Sequence, residues 1–350
     1  MHILGVANGS VGGNSEILLK AALKAAQEAN RSITTSWVHI PSVTIPPNPQ
    51  PLEGAADISL GNNPAMTAAH DGADNVEKHG GDDRQALLDA FLDADAYIFS
   101  TPIYSHGPAG FLKGVLDRIL GPFTDATFVS MVLQKHQEGD PAFLHMKVDE
   151  RVLKPRVAAF ICVGGSTTPD QVSQALPVLH TQIYPMHVKI VDQIVCQDVG
   201  RPGAVLARFG GRYVQRAGEL GRNVAGEIGK KFDEAVYRGP GSGSACPCCF
   251  LDSIEPYYED NKIGCVACGT KGRLHVDETG TIKPAWDNPC GVSSASWEGK
   301  ALHIRDIHEQ MVAEQMDIDA CEQFEERLHY WRAVDTPRVP LTVNTSTPQI

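Results

Sequence analysis

Two pairs of cysteines carry the clearest chemistry in the chain. Cys246/Cys249 and Cys265/Cys268 are each Cys-x2-Cys, and 15 residues separate the pairs. Four thiolates at that spacing match the two knuckles of a small ribbon that holds a tetrahedral Zn2+ ion, with iron as the runner-up metal. A closed four-thiolate site leaves no position for substrate, so it is read as structural or as part of an interface. Cys248 offers a third thiol to the first knuckle, but Cys246 with Cys249 keeps the two-residue spacer. Cys162, Cys196, Cys290 and Cys321 read as unpaired core or surface thiols. Nine cysteines, four of them in such pairs, favour metal over disulfides in a reducing compartment.

A second concentration of chemistry lies in three turns. In NGSVGGNSEIL, Ser10, Gly13, Asn14 and Ser15 combine hydroxyl and amide donors with glycines at the start of a helix, which suits a phosphate; an ordinary helix cap is the competing reading. In TPIYSHGPAG, Pro102 and Pro108 stiffen a loop in which Tyr104 can lie against a flat ring, while Ile103, Ser105 and Gly107 bring backbone groups to the edge of that ring. Gly164 and Gly165 after a buried strand allow close backbone approach. His106 and Tyr104 are the candidates for catalysis, His106 as a proton donor or as a group that orients substrate. The spacing is neither that of a Walker loop nor G-x-G-x-x-G, which argues against a nucleoside triphosphate or dinucleotide fold.

The surrounding pattern supplies elements to hold these turns. Strands are expected at residues 2–7, 33–40, 96–100, 156–163 and 187–195, alternating with helices at 14–28, from about 82, from Pro108 to Leu120, and at about 169–180. A long helix over about 204–237 closes the domain, and the connection 121–155 is less readable. Strands alternating with helices imply a parallel sheet covered on both faces, in the doubly wound flavodoxin-like order 2-1-3-4-5, with ligand beyond the carboxyl ends of the strands. The expected organisation is a flavodoxin-like domain over 1–238, a zinc ribbon over 244–287 after a Gly/Ser joint, and a helical tail with an extended arm over 288–350. Residues 41–81 form a long Pro- and Gly-rich loop, read as a lid, an interface or disorder, in which His70 and His79 could line a pocket.

The residues GS-x-GGNSEILL, DD-x5-FLDADAYIFSTPIYSHGPAGFLKGVLDR and the VGG after strand four resemble the NAD(P)H-dependent FMN reductases and iron–sulfur flavoproteins of the flavodoxin-like superfamily. The resemblance covers roughly residues 1–237, and some members carry a C-terminal ribbon. It implies that Ser10, Gly13, Asn14 and Ser15 belong to the phosphate loop of FMN, Pro102 to Ser105 and Gly107 to the isoalloxazine loop, and Gly164-Gly165 to a third contact. The cysteine motif of the iron–sulfur members is missing from 41–81, which excludes a cluster there. The phosphate loop is shorter than the GSPRKNGNT form and lacks its basic residue.

A formal charge of −12 over 350 residues, with no basic block, opposes nucleic acid and anionic lipid as partners. The N-terminus lacks a secretory signal and no apolar run approaches the roughly 20 residues of a membrane span, so a soluble cytoplasmic protein is expected. The tail over 301–334 reads as one or two helices whose apolar face packs on its own chain or on a sister subunit, which implies a homo-oligomer, dimer or tetramer. The leading expectation is an FMN oxidoreductase that takes hydride from NAD(P)H and reduces a flat or electron-poor organic acceptor: a quinone, nitro, azo, conjugated alkene or halogenated aromatic group. The alternatives are a flavodoxin-type electron carrier and a redox-sensing interaction protein that uses the ribbon.

Overall fold

Apolar runs that can be buried on both sides form the centre of the molecule. In the computed structural model, which describes residues 1–46, 81–257, 260–287 and 292–335, four such runs and one edge strand with no buried residue make one parallel sheet. They are β1 (His2–Ala7), β2 (Thr34–His39), β3 (Ala96–Tyr104), β4 (Arg156–Val163) and β5 (Val188–Cys196), in the order β2-β1-β3-β4-β5. This is the expected doubly wound order. β4 is buried along its whole length, as a central strand covered on both faces must be.

Alternate residues of the strands divide the core in two. Leu4, Val6, Tyr97, Phe99 and Phe160 face α2 (Arg84–Asp93), α3 (Gly110–Ile119) and α5 (Ala175–Gln182). Ile3, Ile98, Ala159 and Ile161 face α1 (Asn14–Ala29) and α6 (Arg212–Glu227). Small residues let α1 and α6 nearly touch: a side chain at Gly221 would collide with the backbone of Ala22. Asp192, at a bulge of β5, is fully buried and is held by both Arg216 guanidinium nitrogens and by Asn223 Nδ2 at 2.7 Å.

Several boundaries differ from the pattern reading, each for a local reason. The helix after the TPIY turn begins at Gly110, because Pro108 is paired with Ile103 in a two-residue antiparallel bridge. α5 begins at Ala175, which keeps Pro177 within the first turn, where its missing N–H costs little. The long helix expected over 204–237 is three pieces. A short turn at Ala204–Ala207 ends at Phe209, Gly210 and Gly211, all at positive φ (54°, 63° and 74°), and only then does α6 run to Glu227. The connection 121–155 contains α4 (Ala126–Glu138), capped by the Asp125 carboxylate on the Thr127 and Phe128 N–H groups and ended at Gly139 with φ 72°.

A four-stranded antiparallel ribbon follows: β6 (Ile254–Tyr257), β7 (Lys262–Cys265), β8 (Lys271–Val276) and β9 (Ile282–Trp286). The chain reaches it along the outer edge of β5, where the Arg238 N–H donates to the Val191 carbonyl at 2.7 Å. Gln193 Nε2 donates to the Cys249 and Phe250 carbonyls at 3.2 and 3.1 Å, and Phe250 stacks on Tyr237 with centroids 4.0 Å apart. By compactness the chain divides into 1–302 and 303–350. The described part of the second unit is the rest of α7 (Trp297–Ala320) and α8 (Phe324–Ala333), on which Met316 and Trp331 are 67% and 71% exposed. Most of the 41–81 loop, with His70 and His79, the thiol of Cys290, and the arm 336–350 lie outside the described residues. No helix among the described residues is long and apolar enough to cross a membrane.

Candidate active site

Parallel strands end together, so the loops that follow them meet at one edge of the sheet. Four loops meet here, one more than the sequence pattern singled out. A cleft between them is lined by Ser10, Gly13, Asn14 and Ser15 from the loop after β1, by Pro102, Ile103 and Tyr104 at the end of β3, by Gly165 after β4, and by Val199, Gly200 and Pro202 after β5. The fourth loop carried its own signal in VGRPG directly after the last strand, two glycines and a proline in five residues.

Side chains at three joints and backbone bonds at the fourth tie the four loops into a closed ring. Asn8 joins the first to the second: its Nδ2 donates to Thr101 Oγ1 at 2.9 Å and to the Ala109 carbonyl at 2.8 Å. His106 joins the second to the third through Nδ1 and the Asp170 carbonyl at 2.8 Å; since a carbonyl only accepts, Nδ1 carries the hydrogen. The third meets the fourth through the Val199 N–H on the Gly164 carbonyl and the Asp198 N–H on the Ser166 carbonyl, each at 3.2 Å. Asn14 joins the fourth to the first, its Nδ2 donating to the Val199 and Arg201 carbonyls, both at 2.8 Å. His106 and Asn14, read from the sequence as proton donor and phosphate ligand, therefore both spend side-chain donors on holding loops together.

The first loop has the form of an anion seat. The Gly13 N–H donates to the Ser10 carbonyl at 2.9 Å and Gly12 sits at φ 69°, which makes a tight turn that only glycine adopts without strain. Gly13 is the N-cap of α1 and no side chain among the described residues caps it, so the first-turn N–H groups have no side-chain capping oxygen there. A Cβ at Gly13 would lie 2.9 Å from the Ser10 carbonyl oxygen, and one at Gly9 would lie 3.2 Å from Ser15 Oγ, so both glycines preserve the cradle. Glu16, the third residue of the helix, accepts from Lys20 Nζ at 2.5 Å and from the Gly12 N–H at 2.8 Å. Those bonds hold its carboxyl below its ordinary pKa of 4.5, and the Lys20 ammonium offsets its charge beside the loop.

The second loop is a strained hairpin. Ser105 and His106 lie at φ 48° and 74°, between the paired Tyr104 and Gly107. Two consecutive non-glycine residues in the left-handed region cost about 1 kcal/mol or more each, which a site tolerates when the turn must be held in one shape. Tyr104 is 63% exposed and lines the cleft, whereas His106 lines neither that cleft nor the cavity beside it. Gly164 is tucked under the third loop, where a Cβ would meet Val172 and Ile103 at 3.2 and 3.3 Å, so Gly165 alone of the pair faces the cleft.

An FMN fits this chemistry on the protein's own terms: an uncapped helix N-terminus and two serine hydroxyls for the phosphate, proline, isoleucine and tyrosine for the ring, and side-chain-free backbone at Gly165 and Gly200 for its polar edge.

The cysteine pairs converge as their spacing predicts. The sulfurs of Cys246, Cys249, Cys265 and Cys268 all lie within 4.8 Å of one another, and all four residues are buried. The Cys246–Cys268 and Cys249–Cys265 sulfurs are 3.5 and 3.3 Å apart, close to the spacing of ligands around one tetrahedral ion. The knuckles repeat each other: the residue after each pair, Phe250 or Gly269, has φ 61° or 73° and donates its N–H to the first cysteine of its pair. Cys248 stands outside the cluster and is disulfide-bonded, a departure from the expectation that metal alone would engage the cysteines. Cys162, Cys196 and Cys321 are free, and burial pushes the Cys162 and Cys196 thiols up, the latter to about 12.

The family profile described as NADPH-dependent FMN reductase matches residues 1–193. Flavone synthase cfoJ from Aspergillus candidus is 33% identical over 317 residues, covering 90% of this chain and 91% of that one. The solved structure of a flavone reductase superposes with a TM-score of 0.71 at 24% identity, over 97% of this chain and all of that one, and shares the fold. An NADH:FMN oxidoreductase in its apo form reaches a TM-score of 0.40 at 17% identity, over 67% of this chain and 94% of that one.

Proposed function

The chain belongs to the NADPH-dependent FMN reductase family and is an NAD(P)H-dependent FMN oxidoreductase; from that premise we propose that its acceptor is a flat aromatic ketone of the flavone type. The reaction adds hydride and a proton across the carbon–carbon double bond conjugated to the carbonyl, or removes them in reverse. The observation that carries this is the reach of the likeness to the flavone synthase. An alignment of 317 residues cannot fit within the 193 of the family profile, so it extends into the segments that distinguish this chain from a minimal flavin reductase.

FMN, when bound, supplies the two-electron chemistry, accepting hydride from NAD(P)H and delivering it to the acceptor. In the forward direction one NAD(P)H and one proton are consumed for each double bond saturated. The protein's part is to place the groups. Ser10, Ser15 and the backbone of Gly13 and the first turn of α1 receive the phosphate; Pro102, Ile103 and Tyr104 flank the ring; Gly165 and Gly200 let backbone approach its edge. In this reading Tyr104 is a wall against which substrate lies. Asn14 and His106 are positioning residues that keep the four loops in register. The four clustered cysteines hold one Zn2+ that fixes the ribbon and takes no part in redox chemistry. A cytoplasmic, homo-oligomeric enzyme belongs to the same reading, the compartment supported by the free thiols of Cys162, Cys196 and Cys321 and the assembly by the exposed apolar residues of α7 and α8.

The test is anaerobic. Purified, FMN-loaded protein mixed with NADH or NADPH should lose its visible flavin absorbance, and added flavone should restore it while gaining two hydrogens, one traceable to a deuterated nicotinamide. Bleaching followed by reoxidation with quinones but not with flavone, together with no bleaching of the oxidised flavin by flavanone, would overturn the acceptor class. Flavin that stays oxidised with both nicotinamides, yet exchanges electrons with a partner protein, would return the electron-carrier reading.

A further inference from the structure

Beside the cofactor cleft lies a second cavity of ≈ 540 Å3, which no step described so far uses. We infer that this cavity, between Val43 and Ile45 on one side and the outer face of α3 on the other, holds the flat aromatic acceptor, with Arg118 meeting an oxygen at the acceptor's rim. The inference rests on the proposed function and gives that reaction a location.

Three independent observations support it. The first is continuity: Tyr104 lines both cavities, so whatever fills the second lies against the residue that walls the first. The second is composition. Phe111, on the outer face of α3, is 66% exposed, and with the 63% exposed Tyr104 it puts two exposed aromatic side chains in the lining of one cavity. Each aromatic ring offers stacking area to a flat guest, and a cavity of this size falls in the range that encloses small molecules. The third is the floor. Gly114 lies in the interior of α3, where glycine costs about 1 kcal/mol relative to alanine, yet a Cβ there would meet only Arg118 Nη1 at 3.6 Å. Packing within the described chain does not require glycine at that position; an unobstructed cavity floor does.

Arg118 sets the chemical class. Its Nη1 donates to the Gly114 carbonyl at 2.6 Å, which folds the guanidinium back along the helix to the rim of the cavity. A guanidinium has five N–H donors, so others remain for a carbonyl or phenolate oxygen. Apolar side walls, aromatic faces and one cationic donor suit a multi-ring aromatic bearing oxygen at one edge. They do not suit a phosphate-rich or polycationic ligand.

The test uses FMN-loaded protein and two main probes, flavone and menadione, with a hydroxylated flavone as a third for Arg118, and binding is followed by the perturbation of flavin absorbance. Gly114→Leu fills the floor and favours the helix, so folding is preserved. It should weaken both probes by about tenfold or more, since overpacking a filled site costs 1–3 kcal/mol. FMN affinity, read separately by flavin fluorescence, should remain within about twofold because Gly114 does not touch the cofactor cleft. Arg118→Gln should weaken a hydroxylated flavone more than menadione. Unchanged probe binding in Gly114→Leu, or no binding of either probe to the unaltered protein, overturns the inference. A shift in sedimentation mass with Gly114→Leu also overturns it, because the cavity would then be a contact between copies of the chain. If menadione binds and is displaced by Gly114→Leu while flavone never binds, the cavity stands and the flavone-type reading of function falls.

Discussion

Gly165 and Gly200 meet backbone against backbone: a Cβ on Gly165 would lie 3.1 Å from Gly200 Cα, and one on Gly200 would lie 3.2 Å from Gly165 Cα. Neither obstacle is the mobile end of a side chain, so a methyl group at either position must push two loops apart. Gly200→Ala is expected to cost about 1–3 kcal/mol of stability by overpacking and to weaken FMN by about tenfold. Thermal unfolding and flavin fluorescence titration of the apoprotein check the two effects.

Asn14 and Ser15 are neighbours with different tasks. Asn14→Ala strips hydrogen bonds from the Val199 and Arg201 carbonyls and should lower stability by about 1–3 kcal/mol as well as loosening FMN. Ser15→Ala removes only a hydroxyl from the cleft, and its expected effect is weaker FMN retention with little change in melting temperature. Equal loss of stability in both variants would contradict this division.

His106 provides a test of positioning against proton delivery. His106→Asn keeps a side-chain N–H for the Asp170 carbonyl and tolerates the left-handed backbone, so it should retain most of the turnover. His106→Ala keeps neither property and should bind FMN several-fold more weakly, the loss of one tie being worth about 1 kcal/mol. If His106→Asn abolishes turnover with FMN still bound, and removes one limb of the pH profile, the imidazole delivers protons.

Metal content should be about one zinc per chain, since four thiolates close one tetrahedral site. Cys246→Ser or Cys268→Ser should lose it, whereas Cys162→Ser, buried in the sheet away from the cluster, should keep it. Elemental analysis after gentle purification decides; iron in place of zinc would change the metal and leave the ligand set intact.

Glu227 makes stability depend on pH. Its carboxylate is buried, and although desolvation opposes ionisation, Lys230 at 2.8 Å, the Val236 N–H at 2.9 Å and Arg238 at 2.7 Å prevail and lower its pKa below the ordinary 4.5. A depressed carboxyl stabilises the fold fully above its unfolded pKa, and that contribution is lost as pH falls from about 4.5 through the lower folded value. Glu227→Gln should cost about 1–3 kcal/mol near neutral pH and flatten the acid side of the stability profile. A mutant with the same acid slope as the parent would show that other carboxylates govern it.

What the sequence disclosed followed periodicity and spacing. Strand order, the three turns and the zinc-type cysteine set all rest on patterns of a few residues, and each turn lies where those patterns put it. Less legible were features that depend on what a residue meets far along the chain. Asn14 looks like a cap or a phosphate ligand until Val199 and Arg201, 185 and 187 residues away, are seen to occupy its amide. The break in the 204–237 helix lies at Phe209-Gly210-Gly211, where two adjacent glycines permit the positive φ that ends the first turn. Gly114 looked like any helix residue, because an empty space leaves no mark on a one-dimensional pattern.

The bond from Arg238 to the Val191 carbonyl has one more consequence. β5 is an outer strand of an apolar sheet, and an outer strand left bare is a template on which a second chain can grow. The approach to the ribbon and the first cysteine knuckle lie against that strand through Arg238 and Gln193, which makes the cysteine ribbon a stopper on the sheet's adhesive rim. Stripping the zinc proposed for those four thiolates is therefore expected to announce itself as turbidity in a solution still yellow with flavin.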